Sequence, residues 1–285
     1  MVKNEALREF LIARRAAITP EMAGIKVSGT RRVPGLRREE VAVLASVSSD
    51  WYARLEQGRQ VTPSESVLSA IADVLQLDDA ERDYLFNLAR PGSTGRFHRE
   101  RPTVRPGITR MLQAFDKQPA FVLGPRMDVL AGNALAWALL DNFPAKSLDN
   151  RNLLRWIITE AKTRELYLDW DTIASELVGV LQLEASANPK DGRTKDLVTE
   201  LRAASPEFSQ WWLSPNPRGR TSGTKRFNHP VVGPLHIDWE AFVVPDDPTQ
   251  TMFVYTASNS ASEESLRLLG SWWATEAVTS GTPDP

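Results

Sequence analysis

The sequence predicts a two-domain chain: an all-α bundle of five short helices, then an α+β domain whose small antiparallel sheet is backed by helices. Three observations predict it. A length of 285 residues favours two domains at roughly 100–200 residues each. Apolar residues recur at helical spacing through the first ninety positions, whereas strand-like alternation returns only past residue 220. Of the nine tryptophans only Trp51 lies in the front third, and the other eight run from Trp137 to Trp273.

The front helices follow in order. Residues 5–18 place Leu7, Phe10, Leu11 and Arg14 at helical spacing, and the Thr-, Pro-, Ser- and Gly-rich stretch 19–35 reads as a loop. A second helix over 36–45 is expected to bury Val41, Leu44 and Ala45. Ser46-Val47-Ser48 breaks it, Ser48 suits an N-cap, and the third helix runs over 49–57 to a left-handed cap at Gly58. A fourth helix follows Pro63-Ser64, a fifth follows Asp78-Asp79, and Pro91-Gly92 ends it. The small Ala42 lets the third helix cross closely over the second, as a helix-turn-helix requires. At about 100° per residue, Ser48, Tyr52 and Leu55 face inward and Trp51 lies at the edge. Asp50, Ala53, Arg54 and Gln57 face out.

This divides the chain into a helical domain at 1–92, a basic linker at 93–108, a second domain at 109–275 and a disordered tail at 276–285. In the second domain, residues 108–115 read as a helix, and 119–133 as two short strands joined at Gly124-Pro125-Arg126. Helices follow over 133–140, 152–160, 169–187, 190–204 and 206–213. Period-two alternation at Leu235–Trp239 and the run Thr251–Tyr255 indicate an antiparallel meander. A closing helix begins with a capping box at Ser262.

Composition removes several function classes. Hydrophobic residues at 42% and charged residues at 25% describe an ordinary globular chain. With no cysteine there is no disulfide, thiolate metal site or Cys nucleophile, and three histidines (His98, His229, His236) leave no expected metal site. No Gly-rich phosphate loop, G-x-S-x-G or H-E-x-x-H occurs, so no enzyme is expected. The opening stretch mixes charges into its apolar residues, unlike a signal peptide, and no run of about 18 apolar residues spans a membrane. A cytoplasmic location is expected, with no membrane partner.

Charge is uneven under the formal net of −2: Lys and Arg against Asp and Glu stand at 11 to 7 over residues 1–60, 2 to 6 over 61–90, 4 to 1 over 91–105 and 17 to 22 over 106–285. The front excess, with Arg31, Arg32, Arg37 and Arg38 close together, reads either as a solvated face or as a phosphate footprint.

The segment LRREEVAVLASVSSDWYARLEQGR resembles the core helices of the XRE (Cro/repressor-type) helix-turn-helix family over residues 5–90, most densely in the frame -VA-x4-VS-x3-Y-x2-LE-x-G. The resemblance implies binding to a double-stranded DNA operator as a homodimer. It places Arg37 and Arg38 at the start of the first core helix against backbone or base, and Ser49, Asp50 and Arg54 at base-reading positions. Ser48, Trp51, Gln57, Arg59, Arg31 and Arg32 complete the expected DNA-contacting set. Many relatives carry Gln where Arg38 and Ser49 stand, so no operator sequence follows. Asp50 suits either a cytosine amino group or the orientation of Arg54 at i+4.

The rear domain resembles the MmyB-type ligand-binding domain, a PAS-like module found behind XRE domains. The resemblance rests on Val129-Leu130-Ala131-x-Asn133, Arg151-Asn152-Leu153, Tyr167-x2-Trp170, Ser205-Pro206-Glu207-Phe208 and His229-Pro230-x2-Gly233-x-Leu235. It implies a fatty acid or other small apolar ligand and no other cofactor. Candidate ligand residues are Asn133, Trp137, Arg151, Asn152, Trp156, His229, Phe253 and Tyr255. Each has a structural alternative: the tryptophans as core, Asn133 and the Arg151-Asn152 pair as helix caps, and His229 in a turn. The expected function is a ligand-sensing transcription regulator, with repression as the expected sign. The alternative is a DNA-binding protein whose rear domain only mediates protein interaction or dimerisation, without a ligand.

Overall fold

The structure, a computed structural model, describes residues 4–25, 33–59, 62–90, 102–214, 216 and 221–280. Arg31, Arg32 and His98 lie outside the described residues, as does most of the expected linker. The chain forms two compact units, residues 1–97 with 176–219 and residues 98–175 with 220–285.

The first unit holds α1 (Glu5–Ala17), α2 (Arg38–Leu44), α3 (Ser49–Glu56), α4 (Glu65–Val74) and α5 (Asp79–Ala89). Side chains cap four of the five at the expected chemistry: Asn4, Ser48, Ser64 and Asp78 each accept a backbone N–H of the first turn. For α2 the reverse half of a capping box serves, with the Glu40 carboxylate accepting the Arg37 N–H at 2.6 Å. Phe10, Leu11, Leu36, Val41, Ala42, Tyr52, Leu55, Leu68, Ile71 and Leu85 are buried in one core. Leu44, expected inside, is exposed and Ala42 is buried instead. The seven-residue α2 turns a face too narrow to hide both. Gly58 has φ +66, and a Cβ there would collide with the Asn4 carbonyl. That close approach lets the Asn4 N–H reach the Gly58 carbonyl at 2.9 Å, tying the start of α1 to the end of α3.

The later part of α10 (Trp170–Ala187), α11 (Gly192–Ala204) and α12 (Pro206–Leu213) belong to this same unit, although the sequence division assigns them to the rear domain. Side chains explain why. Leu183 packs against the front core, Arg14 donates to Asn216 Oδ1 at 3.1 Å, and Asn87 donates to Ser186 Oγ at 3.4 Å.

The second unit is built on a five-stranded antiparallel sheet in the order β2-β1-β5-β4-β3. Its strands are β1 (Ala120–Leu123), β2 (Val129–Gly132), β3 (Ser222–His229), β4 (Gly233–Val243) and β5 (Thr251–Ala257). This is the α+β class expected. Its helices are α6 (Pro106–Ala114), α7 (Ala134–Leu139), α8 (Leu153–Thr159), α9 (Lys162–Leu166), the first turn of α10, and α13 (Ser260–Ser280).

Three sequence expectations are corrected here. Residues 106–108, assigned to the linker, open α6, because Pro106 is preorganised for a first helical position. Residues 276–280 continue α13 rather than beginning a tail. Asn259 rather than Ser262 caps α13: its Oδ1 accepts the Ser262 N–H at 2.9 Å, while Ser262 Oγ accepts the His236 N–H of β4. The short α9 carries too few apolar residues to announce itself in the sequence.

Period-two alternation separates the two faces of the sheet. Ala120, Val122, Met252 and Val254 face α6, clustering with Leu112 and Phe115. The opposite, inner face carries Phe121, Phe227, Leu235, Ile237, Trp239, Phe253 and Tyr255, placed by cross-strand pairs such as Phe121↔Phe253 and Trp239↔Tyr255.

Candidate DNA-reading helix and ligand-facing sheet

The α2–α3 turn depends on Ser46, whose φ of 56° lies in the left-handed region. With this bend the Val47 N–H reaches the Ala42 carbonyl at 2.9 Å, and α3 crosses α2 over the fully buried Ala42. Ser48 then caps α3 through the Trp51 N–H at 3.2 Å. Ser48 is exposed, not inward as the helical projection places it, because an N-cap lies outside the helical turn.

The rest of α3 follows the projection. Tyr52 and Leu55 are buried, while Ser49, Asp50 and Arg54 are exposed and Trp51, Ala53 and Gln57 are half-buried. Arg54 pairs with Asp50 at 3.0 Å, with side chains 56% and 77% exposed, so the arginine is aimed without being covered. Arg37, at the start of α2, and Arg59, past the end of α3, are both exposed.

Sequence reasoning missed Glu56, which is fully buried. Its carboxylate accepts from Arg15 Nε at 2.6 Å and Nη2 at 3.1 Å, and from Arg38 Nε at 2.6 Å. Arg15 also donates to the Leu36 carbonyl at 2.7 Å, closing the loop between α1 and α2. Burial pushes the Glu56 carboxyl up, but the hydrogen bonds and charges of Arg15 and Arg38 outweigh it and hold it below the usual carboxylate range. The signal was present: Glu56 stands four residues after Tyr52 on the apolar side, where a carboxylate requires a cation. Arg38 is therefore anchored at Nε and half-exposed at its tip.

In the second unit a cleft of about 910 Å³ lies among α6, β2, α7 and α13. Of the eight expected ligand residues it is lined by Asn133, Trp137 and Arg151. Asn133 is already engaged. It caps α7 through the Ala136 N–H at 2.9 Å, accepts the Ala120 N–H at 3.1 Å, and donates to the carbonyls of Phe115 and Gln118. Arg151 donates to the carbonyls of Lys146 and Pro144 at 3.0 and 2.5 Å. With Asp116, Lys117, Glu263, Glu264 and Arg267 around it, the cleft is charged. Phe115, Val129, Leu130, Leu135, Trp137, Phe143 and Leu266 nevertheless make most of its lining apolar, as in a site for a small apolar ligand.

Asn152, Trp156, His229, Phe253 and Tyr255 do not line this cleft. Asn152 caps α8 and donates to the Arg126 carbonyl at 2.7 Å. His229 is buried in the β3–β4 turn, where Nε2 lies 3.0 Å from the Ala138 carbonyl and Nδ1 accepts the Val231 N–H. Burial holds its pKa below the ordinary value, against the opposing hydrogen bond to Ala138.

The aromatic candidates belong instead to one series of ring contacts behind and along the inner sheet face. It runs Trp137–Phe143–Trp156–Tyr167–Phe227–Tyr255–Phe121–Phe253–Trp239, with successive centroids 4.8 to 6.4 Å apart. Seven of these rings are buried, whereas Phe253 and Trp239 at the far end are half-buried. Lys225 lies on the same face, its ammonium 5.2 Å from the ring centroids of both Trp239 and Tyr255. Trp239 and Lys225 were not among the expected ligand residues. The alternation of Lys225 with Phe227 and His229 would have turned Lys225 inward. Among the described residues no cluster of metal-ligating side chains occurs, and no helix is long and apolar enough to cross a membrane.

Two family models match. One, described as a helix-turn-helix domain, covers residues 7–85; the other, described as an MmyB-like transcription regulator ligand binding domain, covers residues 104–269. A search of curated proteins finds no match.

Proposed function

Since the chain belongs to the family of transcription regulators with an MmyB-like ligand binding domain, which covers more than half of it, we propose that it is a one-component, ligand-responsive repressor acting in the cytoplasm. Regulation of transcription, DNA binding through the helix-turn-helix and a ligand-binding rear domain come with the two matches, which describe no enzyme. The proposal is the rest. A homodimer sets two copies of α3 into successive major grooves about one helical turn apart, represses by occupying the promoter, and needs neither a cofactor nor a catalytic step.

The observation that carries the DNA reading is the exposed Arg54–Asp50 pair on a helix whose other side is buried through Tyr52 and Leu55. A guanidinium oriented by its own helix and open to solvent suits a guanine edge. Arg37, Arg59 and the tip of Arg38 flank it for phosphates, with Ser48, Ser49, Trp51 and Gln57 along the same surface.

For the ligand, the half-buried end of the aromatic inner face is favoured over the cleft, whose polar candidates Asn133 and Arg151 are already engaged within the protein. Phe253 and Trp239 at that end leave ring surface open, continuous with buried Phe121 and Tyr255. A small apolar molecule, such as the fatty acid the family resemblance implies, would cover that surface.

Selection of duplexes from a random pool by the full chain, followed by footprinting, tests the DNA half. A two-fold related pair of half-sites is the expected result, and recovery without any sequence enrichment would reject it. Native mass spectrometry of the purified chain tests the other half: a retained apolar molecule supports the sensor. A ligand-free protein that also ignores every added acyl chain favours an interaction module.

A further inference from the structure

The helical unit holds a cleft of its own, of about 840 Å³, that takes no part in DNA reading or in the proposed ligand face. Its walls are α1 and α5 on one side and the end of α10, α11 and α12 on the other, all within one compact unit. Much of the lining is apolar: Ala6 from α1, Leu88 from α5, Val198 from α11, and Trp212 and Leu213 from α12. A concave, largely apolar surface with a few polar groups placed in it is the usual form of a small-molecule site.

Two opposite charges stand in this cleft. Glu9 of α1 is half-buried, and Arg202 of α11 is exposed. Arg202 lies one helical turn past Val198, on the same face of α11. Among the described residues neither charge forms an ion pair, yet Arg202 is near enough for its charge to act on the Glu9 carboxyl. The two therefore face each other across a gap too wide for a salt bridge. Burial and the neighbouring Glu5 push the Glu9 carboxyl above its ordinary value, and Arg8 and Arg202 oppose this only in part. Arg8 is engaged elsewhere, in an ion pair with Glu5. Asn188, past the end of α10, also lines the cleft, and its Oδ1 is buried without a hydrogen bond among the described residues. Two acceptors of one cleft thus lack donors, which is costly where water is excluded.

From this arrangement we infer that the cleft is a site for an α-amino acid with an apolar side chain. Its ammonium is held by the Glu9 carboxylate, its carboxylate by the Arg202 guanidinium, and its side chain lies against Leu88, Val198 and Leu213. An α-amino acid carries its two charges on neighbouring carbons, so one small molecule bridges two side chains that do not meet. Both contacts are charge-assisted, and the guanidinium suits a carboxylate geometrically. The bound molecule ties α11 to α1 within the unit that carries α3. The site is independent of the proposed ligand face of the second unit.

Calorimetric titration of the full chain with L-phenylalanine, L-phenylalaninamide and N-acetyl-L-phenylalanine tests this, on the unchanged protein and on Glu9→Gln and Arg202→Gln. The amide lacks the carboxylate, and the acetyl derivative lacks the ammonium. The unchanged protein should bind the amino acid at least about tenfold more tightly than either derivative. Glu9→Gln should weaken the amino acid by about tenfold and leave the acetyl derivative within about twofold. Arg202→Gln should weaken the amino acid similarly and leave the amide within about twofold. Equal affinity for all three compounds would overturn the amino-acid site and leave a merely apolar cleft. A preference for the amino acid that survives both substitutions would overturn its assignment to this cleft, and no binding of the amino acid to the unchanged protein would overturn the inference outright.

Discussion

The Glu56 carboxylate holds Arg38 at 2.6 Å from inside the helical bundle, so the buried end of α3 fixes a basic side chain at the start of α2. Arg15 shares the same carboxylate, and one anion thereby joins α1, α2 and α3. Glu56→Ala leaves both guanidiniums without their partner and should cost about 3–5 kcal/mol of stability, read by chemical denaturation of the full chain. The depressed Glu56 pKa also sets a pH dependence. Its stabilisation is complete above the ordinary value of 4.5 and is lost as pH falls through the lower folded value. Glu56→Gln should flatten the acid limb of the stability curve below pH 4.5; an unchanged limb would show that other carboxylates govern acid unfolding.

Arg54 and Arg37 should fail in different ways on DNA. Arg54→Ala removes a base reader and should cost about 1–3 kcal/mol on the selected operator, with relaxed preference at one base pair. Arg37→Ala should weaken operator and scrambled duplexes alike and lower the salt slope by about one unit. Anisotropy titrations on both duplexes at several salt concentrations separate the two roles. Equal losses on the two duplexes for Arg54→Ala would remove it from the reading surface.

Ser46 occupies a left-handed turn position, at φ 56°, and its side chain is exposed. Glycine there relieves the backbone and gives up little packing, so Ser46→Gly should stabilise the fold by about 1 kcal/mol. A higher denaturation midpoint at unchanged slope is the expected result, and a lower one would mean that the serine contributes an interaction beyond the turn.

Gly132 lies against Trp137, where a Cβ would approach Cζ2 to 2.6 Å. Because the indole is buried and contacts Phe143, it has little room to retreat. Gly132→Ala should therefore destabilise by about 1–3 kcal/mol, with a change in tryptophan emission at low denaturant. Unchanged stability and emission would mean that the Trp137 wall yields easily.

The front bundle was legible because its information is local. Caps at Ser48 and Asp78, Gly58 after α3 and the 3.6-residue period each act within one helix, and the outward placement of Asp50 and Arg54 follows from them. Glu56 was not found because its partners lie 18 and 41 residues away, so its role exists only after α1 and α2 have packed. The ligand face shows the same divide. Phe253 and Tyr255 share a strand and were placed together, whereas Lys225 and Trp239 meet only through the β3–β4 register. The polar atoms of Asn133, Asn152 and His229 close turns and helix ends, the structural alternative the sequence left open beside ligand contact. The packing of residues 176–219 with the front helices went unread for a related reason: amphipathic helices state that one face is buried, not against which partner.

In a ligand-responsive regulator, occupation of the rear domain alters the grip of α3 on DNA. Anisotropy titration of the selected operator with the full chain, with and without saturating decanoate, tests it most directly. A shift in operator Kd of about 5- to 150-fold between the two conditions is expected. An operator Kd that does not move while calorimetry shows decanoate bound would contradict it.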